Sequence, residues 1–125
     1  MNDILAWLLV GHLVGDFLLQ TRWMAEMKTT RLPALAAHSA VYACAVWLAS
    51  VAGQVAGRPD VPVTGLSLLG VIIVFISHAG IDRRGFVRWW CQNVTQSNNE
   101  RLFAMVDQTL HCGILALVCI LERWS

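Results

Sequence analysis

The stretch His12-Leu13-Val14-Gly15-Asp16 places an imidazole and a carboxylate four residues apart inside an apolar run. Positions i and i+4 share one helix face, so both side chains point the same way. The pattern recurs: His78 is followed by Asp82, and Asp107 precedes His111, each inside another apolar segment. The fourth histidine, His38, also lies in such a segment. The chain has five aspartates in 125 residues. A histidine then meets one at i±4 by chance about 8% of the time, and three such pairs are roughly a one-in-five-hundred coincidence. Ionisable groups inside apolar segments are costly and call for a partner, with a metal ion the leading candidate.

The composition says what surrounds these pairs. The chain is 57% hydrophobic and 14% charged, with mean hydropathy +0.58. Soluble domains are about a quarter charged. An integral membrane protein of one domain, residues 1–125, is expected. The net charge of +1 and the lack of a basic stripe argue against nucleic acid as a partner. Cys44, Cys91, Cys112 and Cys119 form no CxxC motif and read as core thiols. The first apolar run has Asp3 and no Lys or Arg ahead of it, and contains His12 and Asp16. It therefore reads as part of the mature protein and not as a signal peptide.

Apolar runs fall at about 4–21, 33–56, 64–82 and 102–121, each near the roughly 20 residues that cross a bilayer. The expected fold is all-α, an antiparallel bundle of four transmembrane helices. Pro33 suits the first turn of the second span, and the Gly57–Pro62 stretch makes a turn. The connector from Arg83 to Arg101 holds Phe86, Trp89 and Trp90 and reads as an interfacial segment. Seven of the nine Lys and Arg residues lie in the first and third connectors, which the positive-inside rule places in the cytoplasm. Both termini are then periplasmic. Trp7 and Trp124 mark the outer interface, and Trp23, Trp89 and Trp90 the inner one. Asn93-Val94-Thr95 falls on the cytoplasmic side, where it is no glycosylation site.

Up-down alternation puts His12, Asp16, His38, His78, Asp82, Asp107 and His111 in the cytoplasmic half, within about 14 Å of the inner ends. Four facing helices can pool them into one site. Gly11 and Gly15 allow the first span a close neighbour. Imidazole and carboxylate suit Zn²⁺, Mn²⁺ or Fe²⁺. Seven donors exceed one tetrahedral site, so either some aspartates orient histidines or two metals share the cluster. One or two divalent ions per chain are expected. Hydrogen bonding between helices is the bland alternative, and a proton or metal path is another. Against a path, the outer half lacks a polar continuation: spans two and three offer only Ser50, Gln54, Thr64 and Ser67 there. Bis-histidine haem ligation leaves the aspartates without a role.

Gln20, Gln108 and Arg83 are candidates for substrate contact or support of the ligands, with helix glue and membrane anchoring as their ordinary roles. Glu26 reads as a solvated loop acid. No side chain is assigned as catalytic; the proposed nucleophile is metal-bound water.

The segments His12 to Gln20, the lone His38, Ser77-His78-Ala79-Gly80-Ile81-Asp82 and Asp107-Gln108-Thr109-Leu110-His111 resemble a bacterial and phage family of unknown function, DUF3307. The resemblance covers nearly the whole chain. More loosely, the chain is similar to bacterial inner-membrane metal-dependent hydrolases, which implies a metal at the seven histidines and aspartates. The expected function is metal-dependent hydrolysis of a lipid or phosphate ester from the cytoplasmic side of the inner membrane. A metal or proton transporter, or a small membrane metal sensor, is the alternative. The bilayer is the expected partner, with a homodimer a further expectation because four short helices enclose little.

Overall fold

A computed structural model describes residues 4–124, leaving out the side chains of residues 123 and 124. Asp3 lies outside the described residues, as does the side chain of Trp124, expected at the outer interface. The described residues are helical and contain no strand: α1 (Ile4–Leu13), a π-helical turn (Val14–Leu18), α2 (Arg22–Met27), α3 (Leu32–Gly57), α4 (Leu68–Asp82), α5 (Gly85–Asn93) and α6 (Glu100–Trp124). Local chemistry fixes the ends. Thr21 and Ser67 cap α2 and α4 through their hydroxyls, and Pro33 occupies the first turn of α3, where its missing N–H costs nothing. Asn99 Oδ1 accepts from Arg101 N at 2.9 Å as α6 begins.

Four helices close a ring: α1 packs on α3, α3 on α4, α4 on α6, and α6 back on α1. The buried residues of each helix form one stripe. In α4 they are Gly70, Val74, His78 and Asp82, successive steps of four; in α6 they include Asp107, His111, Leu115 and Val118. Each stripe is apolar along one stretch and polar along the other. The apolar layer contains Leu8, Val46, Val74, Leu115 and Val118. The polar layer draws on the late residues of α1 and α4 and the early residues of α3 and α6, so neighbouring helices in the ring run antiparallel.

The α1–α3 contact is set by two glycines. A Cβ on Gly11 would lie 2.8 Å from both Ala49 Cβ and the Val46 Cα, and one on Gly15 would lie 3.0 Å from Tyr42 Cδ2. Small residues at this spacing let helix backbones approach closely.

Two helices, Leu32–Gly57 and Glu100–Glu122, are long and apolar enough to cross a membrane. The other two expected spans are apolar but shorter, Ile4–Leu18 and Leu68–Asp82. Both shortfalls have local causes. The π turn ends the first at Leu18, and Thr21 caps a separate helix that begins at Arg22. Residues 64–67 do not join α4 because their backbone is tied elsewhere. Gln54 Oε1 accepts from Thr64 N and Gly65 N at 3.0 and 2.9 Å, and Ser50 Oγ accepts from Leu66 N at 2.9 Å. Gly65 adopts φ +68° here, a conformation that suits glycine. The third connector, expected to lie along the interface, contains α5.

Gly11→Leu is expected to destabilise the fold by about 1–3 kcal/mol through forced separation of α1 and α3. Gly113→Ala, where an added Cβ meets nothing within 4 Å, is expected to be neutral or stabilising by up to about 1 kcal/mol. Thermal unfolding of both variants in the same detergent checks the contrast.

Candidate metal centre

All seven sequence-predicted residues come together, and all are buried. They are held by different elements. His12 ends α1, Asp16 sits in the π turn, and His38 lies early in α3. His78 and Asp82 close α4, and Asp107 and His111 lie early in α6. In the π turn Leu19 N–H reaches Val14 O at 3.0 Å, a local widening of the kind common at functional sites.

The Asp82 carboxylate is the centre. Its Oδ2 lies 3.0 Å from His38 Nε2 and 3.3 Å from His78 Nε2, and its Oδ1 lies 3.3 Å from His111 Nε2. Asp16 Oδ1 approaches the same two rings, at 3.2 Å from His38 Nε2 and 3.6 Å from His78 Nε2. None of these approaches has hydrogen-bond geometry. Both ring nitrogens of His38 and of His78, His111 Nε2, Asp16 Oδ1 and Asp107 Oδ1 are buried without a hydrogen-bond partner. Buried polar atoms are nearly always satisfied, so a cluster of orphans at one point needs explaining.

His111 sharpens the point. Its Nδ1–H donates to the Asp107 backbone carbonyl at 2.8 Å. That bond leaves Nε2 as the nitrogen facing Asp82. A ring held through Nδ1 by a carbonyl, with Nε2 free, is the usual state of a metal-ligating histidine. An imidazole lone pair and a carboxylate facing each other require a cation between them, either a proton or a metal ion.

The donor set fits a metal on distance as well as chemistry. Bonds of about 2.0–2.1 Å from a shared four-coordinate ion hold donors about 3.3 Å apart, and octahedral neighbours about 2.9 Å apart. The approaches of Asp82 to His38, His78 and His111, 3.0 to 3.3 Å, fall within that range, and the longest, Asp16 to His78 at 3.6 Å, lies just above it. Two groups can each offer ligand atoms within 4.8 Å of one another: Asp16, His38, His78 and Asp82, and Asp82, Asp107 and His111. Asp82 belongs to both. Nitrogen and carboxylate ligands suit Zn²⁺, Mn²⁺ or Fe²⁺.

His12 stands outside both groups. Its Nε2–H donates to Gln108 Oε1 at 2.7 Å, and its Nδ1 accepts from Tyr42 O–H at 2.9 Å. Its Nδ1 is 3.6 Å from Asp16 Oδ2. In this arrangement His12 braces the site. Gln20 has a buried Oε1 without a hydrogen-bond partner. Arg83 is exposed, and Glu26 pairs with Arg22 at 2.7 Å in the first connector.

Two further residues belong to the site and were not singled out from the sequence. Tyr42 stacks on His78, ring centroids 3.6 Å apart at 11°, while its hydroxyl holds His12. It lies four residues after His38 on a stripe that also buries Ser39, a spacing that could have found it. Lys28 reaches in from the end of α2, its Nζ 2.7 Å from Asp82 Oδ2. No local pattern marks it, because it stands among connector cations. With ionised aspartates and neutral imidazoles, three carboxylates and this ammonium sum to −2, a charge that favours divalent cations.

The fold and site define an all-α bundle with a buried His/Asp cluster that could hold a metal ion. The chain belongs to the family described as protein of unknown function DUF3307, whose model matches residues 4–124. No curated protein and no solved structure matches it.

Lys28→Met removes a cation in contact with Asp82 and is expected to tighten divalent-ion binding about tenfold or more, as one charge at ~4 Å implies at a high effective dielectric. Isothermal titration with Zn²⁺ and Mn²⁺ measures the change. Tyr42→Phe keeps the stack on His78 but leaves His12 Nδ1 unpaired. It is expected to cost about 1–3 kcal/mol of stability, read from the unfolding midpoint.

Proposed function

We propose that this protein is a membrane metalloenzyme in which Asp82 bridges two divalent ions, and that it hydrolyses an ester or phosphoester of a lipid from the cytoplasmic side. The observation that carries the reading is the sharing of Asp82 between two donor groups, one oxygen toward His38 and His78 and the other toward His111. Paired ions about 3.5–4 Å apart activate a water and steady the developing oxyanion of such a reaction. The chain's own residues have separable tasks. His38, His78, Asp16 and Asp82 would hold one ion, and Asp82, Asp107 and His111 the other. His12, Tyr42 and Gln108 would keep the rings aligned.

Membrane residence is supported by the distribution of polarity. Histidines and aspartates are buried in one layer of the interior while Leu13, Phe17, Leu18, Ile76, Met105 and Ile120 are exposed on the helices, a distribution suited to lipid. The two shorter helices would complete their crossing with flanking turns and local thinning of the bilayer. On the cation bias of the connectors, the metal end would face the cytoplasm of a bacterial inner membrane and both termini the outside. An enzyme is favoured over a conduit because the polar groups of the other end are engaged. Ser50 donates to Trp47 O and accepts from Leu66 N, and Gln54 holds Thr64 and Gly65.

Elemental analysis of protein purified in metal-replete detergent is expected to give close to two divalent ions per chain. Asp82→Asn is expected to lose both and His111→Ala only one. Turnover of phospholipid and phosphomonoester substrates should follow the metal content across these variants. Metal-free wild-type protein under those conditions, or metal-dependent flux in proteoliposomes with no turnover, would overturn the proposal.

A further inference from the structure

A second polar concavity lies outside the His/Asp cluster. It is a groove of about 360 Å³ between α5 and α6, lined by Arg84, Val87, Arg88, Gln92, Asn98, Glu100 and Phe103. That volume is at the lower end of small-molecule sites. Neither Arg84 nor Arg88 makes a side-chain hydrogen bond or ion pair with any described residue, although Glu100 lies on the same groove. From residue 83 to residue 101 the chain carries four arginines and one acid, so the local field favours an anion. Arg84 adopts φ 60° at the start of α5. A left-handed residue other than glycine is uncommon and is often kept at functional positions.

The remaining residues indicate the kind of anion. α5 is amphipathic: Val87 and Cys91 are buried, while Phe86, Trp89 and Trp90 are exposed. Exposed tryptophans beside arginines are characteristic of a segment at headgroup depth. The groove thus combines two unpaired guanidiniums with the apolar walls of Val87 and Phe103. Arginine matches phosphate oxygens bidentately, and the apolar walls suit the glycerol and first methylenes of an acyl chain. An inorganic anion has no use for such walls.

We propose that the α5–α6 groove binds the phosphate of an anionic phospholipid headgroup through Arg84 and Arg88. Phe103 lies one helical turn before Asp107 and Arg84 two residues after Asp82, so the groove adjoins the metal cluster. This inference rests on the membrane reading given above but not on the presence of metals or on hydrolysis.

The test uses the full chain in a neutral maltoside detergent, with thermal unfolding followed against three additives. Dioleoylphosphatidylglycerol is expected to raise the midpoint saturably, as any ligand of the folded state does. Dioleoylglycerol, which has no phosphate, and inorganic phosphate at the same concentration are expected to leave it unchanged. In Arg84→Gln/Arg88→Gln the apparent lipid affinity is expected to fall about tenfold or more, as loss of charge-assisted contacts implies. Arg88→Gln alone, at an exposed position, serves if the double variant does not fold, with a smaller loss expected. Circular dichroism and metal content of each variant should match wild type, which separates failure of this site from failure of the metal centre. An equal midpoint shift from dioleoylglycerol, an equal shift from inorganic phosphate, or undiminished lipid affinity in the arginine variants would each overturn the proposal.

Discussion

The bundle is organised around one carboxylate. Asp82 is almost completely buried and faces three imidazole nitrogens and one ammonium, from α3, its own helix, α6 and the end of α2. A buried carboxylate without such company is prohibitively costly. Asp16 is the second carboxylate facing His38 and His78 Nε2, while His111 Nε2 faces Asp82. The helices are therefore coupled through a polar centre as well as through the apolar layer beyond it.

That coupling needs precise spacing, and the chain obtains it by different means on different sides. Gly11 and Gly15 bring α1 onto α3 at backbone contact, which puts Tyr42 within reach of His12. Tyr42 then links α1 to α4 by stacking on His78. The His12–Gln108 bond closes the ring to α6. These neutral contacts leave His38, His78 and His111 to face the aspartates.

Much of this was legible in the residues. Helices at i, i+4 spacing and segments that alternate direction are enough to bring His38, His78, Asp82, Asp107, His111 and Asp16 to one depth. What escaped depended on three-dimensional detail. His12 has the same i, i+4 pairing as the others, yet Tyr42 and Gln108 use both its nitrogens, a consequence of α1–α3 and α1–α6 packing. Lys28 looked like any cation flanking a span, and only the fold of the first connector carries it inward. The first and third apolar segments read as full crossings because hydropathy does not register a π turn or a loop held by Gln54 and Ser50. Arg83, the candidate named beside Asp82, is exposed, and it is Arg84 that lines the α5–α6 groove.

The Ser67 hydroxyl and amide both bond to Glu122, tying the start of α4 to the end of α6. Ser50 and Gln54 fasten the loop that leads into the same corner. At the opposite end, the first connector meets α4 through the Lys28–Asp82 pair. The bundle is thus fastened at both ends, and a cation that took Asp82 as a ligand would compete with the Lys28 ammonium for the same carboxylate oxygen.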